Sequence, residues 1–349
     1  MTLRSMGLVV HGGKTVAVRV AESMRSWAAD RGITIVDLDV WSDDRHRADD
    51  EVREAGSLDL IVTIGGDGTF LRGVPAAAAA DAPILGVDVG RVGFLTEVLP
   101  EDLIVALEAF ESGHTSEEQR LTLTVRASGP LDIPHGLDSL LAFGRGPALP
   151  PPTVMPRDDE EIGWGVPLDI TALNDVVFEK LSRDRQASLG VYVGDRLFVS
   201  YSADALVVAT PTGSTAYSFS AGGPVISPRA RVLLFTPVAA HMVFDRSLII
   251  GADEVISVRV LPHSGPVVMS VDGQIRGVLQ PGDWVATFAK QKDLRLVRFT
   301  PPDFFGRLKS RFELHDARAA SADGALPERY VPRSPKPRDL GHLNVPTTE

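Results

Sequence analysis

Residues 58–72, LDLIVTIGGDGTFLR, constrain the fold of this chain more than any other stretch. The first seven form a short apolar run rich in branched side chains, the pattern of a buried strand in a parallel sheet. The run then breaks into Gly65-Gly66-Asp67-Gly68-Thr69. Glycines directly after a strand allow positive φ and close approach of a ligand to the main chain. Successive N–H groups in such a turn, with a helix N-terminus behind them, form a concavity for anions. Asp67 stands in the middle of it, where a bare carboxylate would repel a phosphate. Three roles reconcile the two: receiving a hydroxyl proton, holding a sugar hydroxyl, or binding a metal that carries the phosphate. The plainer reading is a strand–turn–helix corner with Asp67 as the helix N-cap, and the pentapeptide by itself does not choose.

The segments around this turn alternate between strand and helix. A first strand over 6–10 enters His11-Gly12-Gly13-Lys14-Thr15 and a helix to about residue 29, ended by Gly32. That turn nearly spells a phosphate-binding P-loop, but its spacing to the lysine is off by one residue. It reads instead as a turn lining a cleft. A second strand is expected over 33–40 and a polar loop and helix over 43–54. After the Asp67 turn come a helix to residue 80, interrupted near Pro75, a strand over 83–87 and a helix over 101–110. Such alternation implies an open parallel sheet with ligands at the carboxyl ends of its strands. No G-x-G-x-x-G follows the first strand, so the ordinary dinucleotide fingerprint is absent.

From Arg120 the hydrophobic period changes to two. Strands are expected over 121–125, 189–201 with a hairpin turn at Gly194-Asp195, 255–261, 267–271, 284–288 and 294–299. The fold class is therefore α/β: an N-terminal open parallel-sheet domain over 1–118 and a β-rich C-terminal domain over 119–299. Residues 128–168, rich in Pro and Gly and carrying an acidic cluster from Asp158 to Glu161, read as an irregular surface insertion. Phe304, Phe305, Leu308 and Phe312 fall at helical spacing. They predict a helix over 300–315 that packs back on the N-terminal domain. Residues 316–349 lack an apolar period and read as a disordered tail.

Charge and composition exclude several function classes. A net charge of −11 argues against non-specific nucleic-acid binding, though not against an anionic ligand held by local charge. With no Cys, disulfides, thiolate metal sites and a Cys nucleophile are excluded. No signal-peptide pattern and no run long enough to span a bilayer is seen, so a cytoplasmic protein without a membrane partner is expected. No HExxH or other clustered His spacing marks a protein-borne metal site.

A second motif lies in DALVVATPTGSTAYSFSAGGPVISP, residues 204–228. A strand over 205–209 runs into small hydroxylated residues around Pro and Gly, a rigid turn that presents several donors. Tyr217 there can stack on a base or hydrogen-bond a ribose. Composition alone also allows a tightly packed corner. Four stretches in this order resemble the NAD kinase family: GGDGT at 65–69, LNDVV at 173–177, TPTGSTAYSFSAGGP at 210–224 and VDGQ at 271–274. The glycine–aspartate turn alone is shared with lipid kinases and phosphofructokinases; the long second run is far more specific. The resemblance covers roughly residues 7–311.

The resemblance implies phosphoryl transfer from ATP or polyphosphate to the adenosine-ribose 2′-hydroxyl of NAD(H), with Mg²⁺ or another divalent cation arriving on the donor. It implies that Asp67 orients that hydroxyl and accepts its proton, that Gly66 and Gly68 let phosphates approach, and that Arg72 helps hold them. Asn174, Asp175 and Arg185 would bind substrate, and Asp204 would contact the nicotinamide side. Thr215, Ala216, Tyr217, Ser218 and Ser220 would form a nucleotide-binding wall, with Gln274 completing the pocket, in a homodimer or homotetramer. His241 matches a family histidine that is equally readable as structural. Two departures stand out: Asp175 where the family usually has Glu, and Ala205 where it usually has Gly. A rival of the same class is a lipid kinase, which wants an apolar or basic membrane-facing surface. A rival of another class is a non-catalytic NAD(H)-binding regulator of the same fold.

Overall fold

The computed structural model describes residues 3–41, 51–54, 56–90, 93–134, 137, 151–156, 164–182, 185–300 and 303–314. In the N-terminal half, β1 (Ser5–Val10), α1 (Thr15–Asp30), β2 (Thr34–Asp37), β3 (Leu60–Gly65), α2 (Asp67–Ala80), β4 (Ile84–Asp88), α3 (Leu103–Glu111) and β5 (Ser116–Arg120) follow one another. The β-rich half supplies β6 (Leu123–Ala127), β7 (Val166–Pro167), β8 (Asp175–Lys180), β9 (Ala187–Val193), β10 (Arg196–Ala203) and β11 (Ala205–Ala209). A one-turn helix, α4 (Tyr217–Ser220), precedes β12 (Val232–Val238), β13 (Leu248–Gly251), β14 (Ile256–Val260), β15 (Val267–Val271), β16 (Gln274–Leu279), β17 (Trp284–Ala289) and β18 (Leu294–Arg298).

The first sheet runs β2-β1-β3-β4-β18-β5, parallel from β2 to β18 and antiparallel at β5. Strand β3 is buried along its whole length because both faces of this sheet are covered. Leu60, Val62 and Ile64 pack with Ala17, Met24 and Leu107 of α1 and α3, while Ile61 and Ile84 pack with Phe70 and Val74 of α2. Helix α2 passes through Pro75 without a break. Proline removes one hydrogen bond from a helix interior; here the alanine run after it favours helix and α2 is held against the sheet by Phe70, Val74 and Ala77. Strand β18, expected with the β-rich half, instead joins the first sheet. Its Leu296 is buried beside Ile84 and pairs with it.

The other two sheets, β10-β9-β14-β17-β6-β7 and β13-β12-β11-β8-β15-β16, are antiparallel throughout and pack face to face. Val191, Val258 and Val285 of one meet Phe178, Val208 and Met269 of the other in a single core. The outer face of the second sheet buries Val177, Ala205, Val207 and Leu234 under Ile226. The hairpin expected at Gly194 joins β9 to β10, with Gly194 at φ 61°. The described ends of the 128–168 insertion are more regular than expected: β7 pairs with β6, Val154 bridges Leu168, and Trp164 stacks on Trp284. The acidic cluster at 158–161 and the tail from 316 lie outside the described residues. Residues 303–314 form a separate unit with a helix over Phe304–Arg311, whose start is capped by Asp303 accepting from the Gly306 N–H at 2.8 Å. No described helix is long and apolar enough to cross a membrane.

Candidate active site

On the α/β side, β3 ends at Gly65 and α2 begins at Asp67, so the helix cap is the extended Gly66 and not Asp67. The Asp67 side chain is therefore released from capping and reaches across to the loop after β4. Its Oδ2 accepts from the Phe94 N–H at 3.0 Å and its Oδ1 from the N–H groups of Leu95 and Thr96 at 3.1 and 3.4 Å. A carboxylate offers about four lone-pair positions, so this clamp leaves room for one more donor. The approach requires Gly93: a Cβ there would sit 2.0 Å from Asp67 Oδ1. Asp88, buried at the end of β4, laces the same loop by accepting from Gly90 N–H at 2.7 Å and Thr96 Oγ1 at 2.7 Å. Gly66 is half-buried and Gly68 exposed, leaving the first turn of α2 open with its positive end.

Arg72, on the second turn of α2, is buried against the Trp41 ring at 4.3 Å and donates to Val40 O at 3.2 Å. His11 in turn packs 5.5 Å from Trp41. Burial lowers the Arg72 pKa, though a guanidinium stays charged at any physiological pH. Its other terminal nitrogen donates to Gln274 Oε1 at 3.4 Å, so two residues 202 positions apart in sequence meet where the halves join.

On the β side, the turn between β15 and β16 carries Asp272 at φ 48° and Gly273 at φ 77°, the positive pair expected of a tight Asp-Gly hairpin. That geometry aims the Asp272 carboxylate at the strand-entry loop before β8. It accepts from the N–H groups of Leu173, Asn174 and Asp175 at 2.9, 2.7 and 3.1 Å. The turn after β11 closes on the same loop: Thr210 N–H donates to Asn174 O at 2.8 Å and Thr210 Oγ1 to Leu173 O at 2.5 Å. Gly213 passes so near that a Cβ would lie 2.0 Å from Asn174 O.

Asp175 is buried beside this clamp. Burial first, then the Asp272 charge, pushes its carboxyl up to about 7, against a hydrogen bond from the Tyr217 N–H. Asp272 rises to about 6 through burial, opposed by its three N–H donors. Tyr217 is half-exposed; burial and the charges of Glu179, Asp175 and Asp204 raise its phenol, which places these groups in one neighbourhood. Asp204 is held by Lys180 at 2.6 Å.

Not every expected residue joins this neighbourhood. Thr215 and Ala216 are half-buried in the turn before Tyr217, and Ser220 is exposed. Ser218 is fully buried with its hydroxyl 2.9 Å from Thr236 Oγ1, which makes it a support of the wall. Arg185 is exposed, and among the described residues nothing ties it to the others. His241 is exposed and contributes its backbone N–H to Ser202 O at 2.8 Å. The Ala205 methyl lies in the apolar cluster on the outer sheet face. Sequence reasoning assigns no role to Trp41, Asp88 or the loop 93–96, and reaches Asp272 only as part of the VDGQ motif, whose Asp-Gly dipeptide between two strands is a local turn signal.

The carboxylates nearest the open helix end do not form a metal cage. Both oxygens of Asp67 and of Asp88 accept from N–H or O–H donors, and among the described residues no three or more His, Asp or Glu gather as a ligand set.

The ATP-NAD kinase N-terminal domain family matches residues 6–115 of this chain, and the ATP-NAD kinase C-terminal domain family matches residues 173–299. NAD kinase 1 of Streptomyces avermitilis is 56% identical over 347 residues, 99% of this chain and 97% of that protein. The NAD kinase of Heliobacterium modesticaldum is 34% identical, covering 88% of this chain and 98% of that one. Among solved structures, yeast NADH kinase complexed with NADH superposes with a TM-score of 0.70 at 19% identity, over 91% of this chain and 89% of that one. An NAD kinase from Archaeoglobus fulgidus in complex with ATP gives 0.57 at 20% identity, over 88% and 99%. At such identities the superpositions speak for the fold.

Proposed function

The chain belongs to the ATP-NAD kinase family, and from that membership and the geometry around Asp67 we propose that it phosphorylates the adenosine-ribose 2′-hydroxyl of NAD(H). The observation that carries the reading is the Asp67 clamp. Three N–H donors fix the carboxylate at the open end of α2 with one acceptor position left. A ribose hydroxyl fills that position, and its oxygen is then aimed at phosphorus. As the new P–O bond forms and the bond to the donor's leaving phosphate breaks, the hydroxyl proton passes to Asp67. Phosphoryl transfer of this kind depends on positioning and charge neutralisation more than on base strength.

The rest of the machinery divides by half. Gly66, Gly68 and the first turn of α2 receive the phosphates, with Arg72 supplying a fixed positive charge. Asn174, Asp175, Asp204 and Tyr217 hold the dinucleotide against the turn after β11, and Gln274 tethers that wall to Arg72. No step is routed through a protein-held metal, since the carboxylates present do not suit one. A divalent cation such as Mg²⁺ belongs in this reading to the donor and neutralises its phosphates.

The reading also places the enzyme in the cytoplasm, where NAD(H) and ATP are found, and in the route to NADP(H). Self-association is part of it: Leu197 and Phe198 on the edge strand β10, together with Val243 and Phe244, present exposed apolar surface, Phe198 and Phe244 being 5.9 Å apart. Light scattering on the purified protein checks that point.

The function is tested by NADP formation from NAD with Mg²⁺, ATP and polyphosphate being run in parallel. Product with either donor supports the reading and names the donor. Tight NAD binding with no product from either would overturn it in favour of a non-catalytic regulator.

A further inference from the structure

The two chain crossings between the halves lie side by side. Strand β5 leads into the β-rich half, β18 returns from it, and the two pair antiparallel with Glu118 opposite Leu296 and Ser116 opposite Arg298. Between them sits a buried run of charge. Arg298 donates from Nη1 to Leu95 O at 3.0 Å and from Nε to Glu118 Oε2 at 2.7 Å. The same Glu118 oxygen accepts from Arg120 Nη2 at 2.9 Å, and Arg120 Nη1 donates to Thr212 Oγ1 at 3.1 Å. All five residues are less than a tenth exposed.

The ends of this run are the informative part. Leu95 is one of the residues whose N–H holds Asp67, and its carbonyl holds Arg298. Thr212 lies in the TPTGST turn that leads to Tyr217, one residue before the Gly213 that closes on Asn174. An unbroken hydrogen-bonded path therefore joins the carboxylate that meets the hydroxyl to the wall that meets the nucleotide. Burial alone would raise the Glu118 pKa, but the two arginines more than offset it and keep the carboxylate ionised. Buried ion networks add little net stability over well-packed apolar groups, so one placed at a crossing between two halves points to geometry.

We infer that Glu118, gripped by Arg298 and Arg120 across the β5–β18 crossing, is a positioning residue that sets the Asp67 loop in register with the nucleotide wall. The inference rests on the kinase reading above for its kinetic test but not for its structural one.

The experiment uses the full chain with Thr212→Val and Arg298→Lys, alone and combined. Thr212→Val removes the hydroxyl at one end and keeps the shape, while Lys cannot reproduce the directed bonds of Arg298 to Leu95 O, Glu118 and Glu97. Each single variant is expected to lower kcat about tenfold with KM for NAD within about twofold, at a Tm close to the parent. The double variant is expected to fall no further than about tenfold, because a broken path cannot be broken twice; Thr212→Ser restores the parent rate. Independent effects would multiply to about a hundredfold and would overturn the inference, as would unchanged kcat in both single variants. Where Arg298→Lys does not fold, Glu118→Gln takes its place in the cycle. Hydrogen exchange serves as the readout without turnover. Thr212→Val is expected to speed exchange at the amides of Leu95 and Thr96, to which Thr212 makes no hydrogen bond. Unchanged exchange there also overturns the inference. An inactive parent protein would remove the kinase reading and leave this second result to decide the path.

Discussion

Asp67 and Asp272 do the same structural work in opposite halves. Each carboxylate gathers the N–H groups of three consecutive residues from a loop far away in sequence, 94–96 for one and 173–175 for the other. They differ in company. The described hydrogen bonds of Asp67 come only from N–H donors, and it sits at the start of a helix. Asp272 has a second buried carboxylate, Asp175, beside it, and both are pushed toward neutrality. The first arrangement suits a carboxylate that meets an incoming hydroxyl. The second suits a scaffold that shapes a wall and carries an internal strain in its charge.

That contrast breaks most visibly under substitution of Asp67 itself. Asp67→Asn keeps an acceptor for the Leu95 and Thr96 amides but loses the proton acceptor, and turnover is expected to fall by roughly 10²–10⁴. A steady-state NADP assay reads it. Gly93→Ala attacks the same clamp from the loop side. A methyl 2.0 Å from Oδ1 forces Asp67 or the loop away. Misplacement by about 1 Å is expected to lower kcat by roughly ten- to a hundredfold, with NAD affinity little changed.

Asp272→Ala tests the scaffold side, where the effect falls on folding. Three part-buried N–H groups lose their acceptor, and denaturant unfolding is expected to show a loss of about 3 kcal/mol. The Asp175 carboxyl offers the mildest test. Its folded value of about 7 stands above the ordinary 3.8, so between those values the folded state binds the proton more tightly than the unfolded one. Stability from this group is full below about pH 4 and is lost as pH rises through 7. Asp175→Asn removes that slope. The variant is expected to match the parent near pH 4 and to be the more stable of the two at pH 8, read by urea unfolding at both values.

How much of this was legible in the sequence follows from the range of the interactions. The strand and turn at 58–69 and the strand over 205–209 are written in contiguous residues, and the structure has them at β3 and β11. The alternation of strand and helix and then the change of period gave the two halves. Strand β18 went to the wrong sheet because its alternating pattern says only that it is a strand, while its place beside β4 depends on Ile84, some two hundred residues earlier. Pro75 was overread as a break because local propensity ignores the apolar face that pins α2 to the sheet. The motifs single out Asp67, Arg72, Gln274, Asp175 and Tyr217, and the fold carries Asp67 to the loop 94–96 and Arg72 to Gln274. Ser218 was grouped with them by adjacency, yet the turn of α4 directs it inward to Thr236. The Glu118, Arg120 and Arg298 path had no sequence signal, since each member looks like an ordinary surface charge until the fold buries it.

The division of labour between the halves has one direct test, the dissociation constant for NAD of the Asp67→Asn protein, measured by calorimetry beside the parent. If the β half holds the nucleotide and Asp67 serves the reacting hydroxyl, affinity stays within about tenfold, the worth of one hydrogen bond, while turnover is lost. An affinity that falls as far as turnover does would contradict the account, and would make Asp67 a binding residue first.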